Sequence, residues 1–214
     1  MKTEQTLQRF WDNRVKEFYC DRPSIYLHKF FTMISTKGAK VLDIGCGAGR
    51  NSLMLHKLGF DIYGCDFNKK MVQATKTRLP KSLNKKIIIS NMINLPYKNN
   101  FFDFVISNGV FHNARSFFHL KRAIKEARRV LKTGGYLILN IFVASGLKKK
   151  FKKAPDQKYL YYTYEKLPII LLPIFKLFEL LSENKFRMIS AQQERVSVST
   201  GKRDVIKAIF KKSN

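Results

Sequence analysis

The chain has 214 residues, 45% of them hydrophobic, and a formal net charge of +26. That length and balance fit one globular domain with a single sizeable core. Three cysteines, Cys20, Cys46 and Cys65, are an odd number without metal-ligand spacing, which argues against a disulfide framework or a bound metal and for reduced thiols.

Residues 1–10 are polar and charged with no apolar core of a leader peptide, so secretion is not indicated and a cytoplasmic location is expected. Apolar residues then recur at helical spacing, at Leu7, Phe10, Trp11, Val15 and Phe18, and again at Ile25, Leu27, Phe30, Phe31 and Ile34. The spacing predicts two helices separated around Asp21-Arg22-Pro23. Trp11, Tyr19 and Arg22 are either substrate-side residues or packing and ion-pair residues at a sheet edge.

Val41 to Ile44 is a short apolar run closed by Gly45-Cys46-Gly47-Ala48-Gly49, and a helical pattern follows from Arg50 to Leu58, ended by Gly59. Glycines there let a ligand lie directly on the main chain, and the helix turns free N–H groups toward it. Phe60 to Cys65 reads as the next strand, with Asp66 at its end, seventeen residues after Gly49. In a doubly wound sheet such a carboxylate can accept both hydroxyls of a ribose, which implies an adenosine-containing ligand. The glycine spacing differs from that of dinucleotide sites, and Asp43 would repel a pyrophosphate but suits a cationic amino-acid tail.

An acid followed by Gly-x-Gly-x-Gly resembles the signature of the class I S-adenosylmethionine-dependent methyltransferases. Gly49-Arg50-Asn51-Ser52 and Gly59-Phe60-Asp61 look like the small-molecule, TehB-like or type 11 branches. The resemblance implies an α/β fold: a doubly wound, mostly parallel seven-stranded sheet with helices on both faces and an antiparallel last strand. It implies S-adenosyl-L-methionine as cofactor, held by Asp43, Gly45, Cys46, Gly47, Gly49, Asp66, Phe67, Asn91, Met92 and Asn108. One domain over 1–214 is expected, with 1–39 as a helical cover, 40–143 as the cofactor-binding core and 144–214 as the substrate-side segment and terminal strands.

Further along, Asn68 to Leu79 reads as a helix capped by Asn68, with Pro80 beyond it. Lys86 to Ser90 reads as a strand covered on both faces because of Ile87-Ile88-Ile89. Asn91 stands where the family often has an acid facing the adenine amino group, and its side-chain oxygen can still accept that hydrogen. Lys98-Asn99-Asn100 is a turn, and Phe101 to Ser107 reads as the fourth strand, in which Phe102-Asp103-Phe104-Val105-Ile106-Ser107 resembles the family's, with Asn108, Val110 and His112 at the ligand end. Ser116 to Leu131 reads as a helix capped by Ser116 and closed by Lys132-Thr133-Gly134-Gly135, and Tyr136 to Val143 as the fifth strand. Tyr164 to Leu172 is expected as a helix, Phe175 to Leu181 as the sixth strand and Arg203 to Phe210 as an antiparallel seventh. Arg187 to Thr200 is ambiguous.

The chemistry implied is in-line methyl transfer, in which positioning supplies most of the acceleration. His112 is the candidate catalytic residue, as general base, or else it packs on the adenosine or orients a loop. His28, His56 and His119 fall on helical stretches as surface or packing residues, and Cys46 reads as a small residue fitting a turn. A small-molecule acceptor is the first expectation. An RNA acceptor, held by Lys148 to Lys153 with Arg128 and Arg129, is the alternative, and a non-catalytic module binding RNA, a membrane or a protein is the third. The basic excess is spread along the chain, with 8 basic and 4 acidic residues in 1–40, 17 and 5 in 41–145, and 16 and 6 in 146–214. It therefore marks no particular stripe for nucleic acid. The run Lys148 to Lys153 before apolar residues also allows peripheral contact with an anionic membrane, and no obligate protein partner is implied.

Overall fold

The structure, a computed structural model, describes residues 2–19, 22–34, 36–144, 151–198 and 201–214. Its helices and strands, in chain order, are α1 (Lys2–Asp12), α2 (Val15–Phe18), α3 (Ile25–Met33), β1 (Lys40–Ile44), α4 (Arg50–Lys57), β2 (Asp61–Asp66), α5 (Lys69–Arg78), β3 (Ile87–Ile89) and β4 (Phe102–Asn108). There follow α6 (Phe117–Val130), β5 (Leu131–Phe142), β6 (Lys152–Lys153), β7 (Leu160–Tyr162), β8 (Pro168–Ile170), α7 (Ile174–Glu183), β9 (Phe186–Val198) and β10 (Gly201–Lys212). Seven strands form one sheet in the order β3-β2-β1-β4-β5-β10-β9, mostly parallel, with β10 antiparallel to both β5 and β9. The expected doubly wound sheet with an antiparallel final strand is what the chain forms. Two compact units can be distinguished, residues 1–96 with 102–106, and residues 97–101 with 107–214.

In the first unit β1 pairs in parallel with β2, Val41 opposite Ile62 and Ile44 opposite Cys65, and these apolar side chains are buried. Phe31, Phe60 and Phe104 meet edge to face, with centroids 5.0 Å apart for Phe31–Phe60 and 5.4 Å for Phe31–Phe104, so α3 is fixed on the sheet by aromatic contact. Asp103 accepts the Lys40 N–H at 2.9 Å and so sets where β1 begins. The N-terminal stretch differs from the two helices expected. It breaks after Asp12, where Asn13 and Arg14 donate back to Arg9 and Trp11, and only the short α2 resumes before the Asp21-Arg22-Pro23 boundary, of which Asp21 lies outside the described residues. Ile87 is fully buried as expected, but Ile89 is 57% exposed. Among the described residues β3 pairs with β2 alone, at the sheet margin, so its end is covered on one side only.

In the second unit Leu120, Ala123, Ile124, Ala127 and Val130 form the buried stripe of α6, and the Ser116 hydroxyl caps the helix by accepting the His119 N–H at 3.1 Å. The Lys132-Thr133-Gly134-Gly135 segment does not close the helix as expected. The chain turns extended at Leu131, and these residues open β5, with Gly134 at φ +78°. Two further expectations are overturned. Phe175 to Leu181 is helical, part of α7, because Leu177, Leu180 and Leu181 share one buried face at helical spacing behind Pro173. Tyr164 to Leu172 is not a helix. Lys166 adopts φ +59° in a turn closed by the Thr163 N–H on the Leu167 carbonyl, and β8 follows. β6, β7 and β8 make a small antiparallel sheet, and the ambiguous stretch before β10 is mostly β9, antiparallel to it. Lys148 to Lys150 of the polybasic run lie outside the described residues. Among the described residues no helix is long and apolar enough to cross a membrane.

Candidate cofactor and acceptor site

The turn after β1 is held by hydrogen bonds that leave one side of it bare. The Gly45 and Cys46 N–H groups both donate to the Cys65 carbonyl, at 2.7 and 3.0 Å, which fastens the turn to the end of β2. Gly47 sits at φ +56°, and a Cβ built on it would meet nothing within 4 Å. Gly49, at φ +81°, is different, since its Cβ would lie 3.0 Å from the Thr75 main chain. The Thr75 hydroxyl donates to the Gly47 carbonyl at 2.7 Å, so α5 holds the turn from behind. Cys46 is buried in this junction, and burial, reinforced by the charges of Asp66 and Asp43, pushes its thiol well above the usual range. It stays protonated and is no nucleophile.

Two carboxylates flank the turn. Asp66, 8% exposed at the end of β2, accepts the Gly47 N–H at 3.0 Å and the Asn68 N–H at 2.9 Å. Asp43, 1% exposed, accepts the Ser52 hydroxyl at 2.7 Å. Burial pushes each up to about 6, against the lowering effect of these hydrogen bonds, and the charge of Asp66 adds to the shift of Asp43. Two buried acids beside a main chain left bare at Gly47 favour a cation.

Asn68 ties this pocket to the N-terminal helix. Its side-chain oxygen caps α5 through the Met71 N–H at 2.9 Å, while its amide nitrogen donates to the Gln8 side chain at 2.8 Å and to Asp12 at 2.9 Å. Gln8 in turn donates to the Phe67 carbonyl at 3.0 Å. The cap was legible in the sequence; the link to Gln8 and Asp12 was not, because nothing in the sequence pairs residues 56 and 60 positions apart. Phe67 and Met92 are half-buried, and Asn91 is exposed with its side-chain oxygen on the Ile93 N–H at 3.3 Å. That oxygen keeps a second lone pair for another donor. Trp11 packs between Phe10 and Phe18, Arg78 lies 4.6 Å over the ring of Tyr19, and the Arg22 carbonyl accepts from Arg50 at 3.4 Å.

The second unit carries Asn108 and His112. The Asn108 side-chain oxygen, at the end of β4, is buried and has no hydrogen-bond partner among the described residues. His112 lies in a 3-10 turn (Phe111–Asn113), stacked on Phe142 with centroids 4.1 Å apart and planes at 20°. Its Nδ1 accepts the Phe142 N–H at 3.2 Å, and burial, with the nearby Arg203 charge, holds its pKa down to about 3. The ring is neutral with its hydrogen on Nε2. That is the reverse of what the expected general base requires, since the one basic nitrogen is already spent on the main chain. His28 is exposed, and His56 and His119 are half-buried. Among the described residues no cluster of His, Cys, Asp or Glu could hold a metal ion.

A mostly parallel sheet in this strand order, with a bare turn after its first strand and a buried acid ending the second, defines a nucleoside-binding α/β protein of the methyltransferase type. A family model described as a methyltransferase domain matches residues 42–139. A protein of Encephalitozoon cuniculi with a provisional methyltransferase name is 30% identical over 163 residues, which is 73% of each chain. The tRNA (carboxymethyluridine(34)-5-O)-methyltransferase of Arabidopsis thaliana is 32% identical over 107 residues, half of this chain but only 25% of that one. The Burkholderia thailandensis 1,6-didemethyltoxoflavin-N1-methyltransferase, solved with S-adenosylhomocysteine, superposes with a TM-score of 0.72 over all of this chain and 90% of that one, at 15% identity. The chain belongs to the class I S-adenosylmethionine-dependent methyltransferases, whose cofactor is S-adenosylmethionine. The residues present fit that molecule: the main chain is bare where Gly47 lacks a Cβ, and two buried carboxylates suit its positive charges and ribose hydroxyls.

Proposed function

We propose that the chain transfers the methyl group of S-adenosylmethionine to a small, partly apolar acceptor, without a general base of its own. When bound, the cofactor supplies a methyl group activated by its sulfonium. In this reading Gly45, Cys46, Gly47 and Gly49 present main chain to it, Asp66 accepts its ribose hydroxyls, and Asp43 favours its cationic amino-acid end. Asn91 and Met92 border the adenine.

The observation that carries the choice of acceptor is the small sheet of β6, β7 and β8. β8, buried throughout, packs on the 3-10 turn that holds His112, and half-buried Tyr159, Tyr161 and Tyr162 line its neighbourhood, with Phe117 edge-on to Tyr159 at 5.2 Å. Aromatic walls of this kind suit an apolar or aromatic molecule. His112 acts as a positioning residue that fixes Phe142, so the acceptor gives its proton to water or arrives ionised. A second reading, an ionised acid oxygen on RNA, is favoured by the likeness to the Arabidopsis enzyme, named for a carboxymethyluridine acceptor; an acid oxygen that ionises readily makes a general base optional.

Incubation with methyl-labelled cofactor and separated small-metabolite and RNA pools tests the choice. Label is expected in the small-metabolite pool. Label confined to RNA would refute the small acceptor and establish the second reading.

A further inference from the structure

A cleft of about 520 Å³ opens where the turn before β4, the end of α6, the turn after α7 and the end of β10 meet. Lys125, Arg128, Arg129, Lys185 and Lys212 line it, against the carboxylate of Glu183. Part of this charge is already answered. Arg129 forks onto Glu126 at 2.7 and 2.8 Å and also donates to the Tyr97 carbonyl at 2.7 Å.

The rest is not answered. Lys212 is only 6% exposed, and its ammonium gives all three hydrogens to neutral oxygens: the Asn100 side chain at 2.8 Å, the Arg128 carbonyl at 2.9 Å and the Leu131 carbonyl at 2.7 Å. Its donors are satisfied and its charge is not. Burial and the Arg128 charge press its pKa below the usual lysine value, as expected for two cations held together. Among the described residues the buried Arg128 Nε has no hydrogen-bond partner, and its Nη2 makes a long contact, 3.4 Å, to the Ser213 carbonyl. Cations in the last turn of α6 would by themselves be a response to the helix dipole. Lys185 and Lys212 come from other elements to the same hollow, which the dipole does not explain.

We propose that this cleft binds a small phosphate-bearing ligand, gripped by the Arg128 fork with Lys125 and Lys185, over the fixed positive charge of Lys212. A guanidinium edge takes two phosphate oxygens at once. Several cations around one hollow exceed the charge of one carboxylate and match a phosphate ester, at roughly −1.5 to −2. A concave site of this volume is of the size that holds one small molecule, whereas a nucleic acid needs a track. The site is separate from the proposed reaction. β5 runs from Leu131, whose carbonyl meets Lys212, to Phe142, whose N–H meets His112. At about 3.3 Å per residue that span is roughly 35 Å.

Calorimetric titration of the full chain with inorganic pyrophosphate at fixed ionic strength tests the site. Saturable binding is expected, weakened about tenfold or more by Arg128→Gln, weakened less by Lys185→Gln, and unchanged by Lys29→Gln on α3. Uptake of S-adenosylmethionine by each variant reports that it is folded. Should Arg128→Gln fail that check, the exposed Lys125→Gln and Lys185→Gln carry the comparison. No uptake at millimolar pyrophosphate, or equal uptake by all variants, overturns the proposal. So does an RNA oligonucleotide that binds through Arg128 and Lys185 and that pyrophosphate does not displace, an outcome that assigns the cleft to nucleic acid.

Discussion

Gly47 and Gly49 both lie in the left-handed region, yet an added methyl group should cost stability unequally at the two, and ligand affinity at Gly47. At Gly47 the new Cβ projects into open space, so Gly47→Ala costs the protein only the left-handed backbone penalty, roughly 1–2 kcal/mol. For a chain of this length that lowers Tm by about 2–4 °C per kcal/mol. At Gly49 the same penalty is joined by a collision with the Thr75 main chain at 3.0 Å, and overpacking adds about 1–3 kcal/mol. If the cofactor lies on the bare side of the turn, Gly47→Ala remains folded but loses S-adenosylmethionine affinity by about tenfold or more, since a methyl group then stands at ligand-contact distance. Thermal melts paired with calorimetric titration read both effects. A Gly47→Ala protein that melts as expected and binds the cofactor unchanged would refute the placement of the ligand on this loop.

Asp43 and Asp66, raised from 3.8 to about 6, make the ligand-free fold bind more protons than the unfolded chain, so their contribution to stability declines as pH rises from about 4 through 6. A cationic ligand prefers both ionised. Its affinity should therefore rise with pH up to about 6 and level above, falling below that by up to about tenfold per carboxylate per pH unit, with proton release measurable in buffers of different ionisation enthalpy. His112→Gln should lower kcat by less than about tenfold and leave the pH profile without a lost imidazole limb, whereas removal of a true base costs about 10²–10⁴. Asn68→Ala should cost about 1 kcal/mol as a lost cap and, by releasing Gln8 and Asp12, raise KM for the cofactor more than it lowers kcat.

What could be read from the residues was local or followed from strong patterns. The glycine turn, Asp66 at the end of β2, the caps at Asn68 and Ser116, and β4 through Ser107 each rest on a few neighbouring residues. The errors arise where two patterns compete. Phe175 to Leu181 is apolar enough to pass for a strand, and only the burial of Leu177, Leu180 and Leu181 on one face decides for helix. Ile87-Ile88-Ile89 reads as a strand covered on both faces because sequence carries no sign that its last residue emerges at the margin of the sheet. The expected helix at Tyr164 to Leu172 rested on family analogy, and the left-handed Lys166 belongs to a tight local turn between Thr163 and Leu167 that the run of apolar residues does not announce. His112 was found by its position. Its unsuitability as a base depends on an N–H thirty residues away.

β9 closes the sheet on one side, with most of its side chains exposed and, among the described residues, no strand along its outer edge. A sheet margin carrying exposed Met188 and Ile189 is a template for edge-to-edge aggregation. Arg187, Glu194 and Arg195 along the same strand act as gatekeepers, because an incoming chain would have to desolvate them. The net charge of +26 adds mutual repulsion between copies. The basic excess thus has a colloidal role whatever the acceptor is, and high salt, which screens it, removes that protection first.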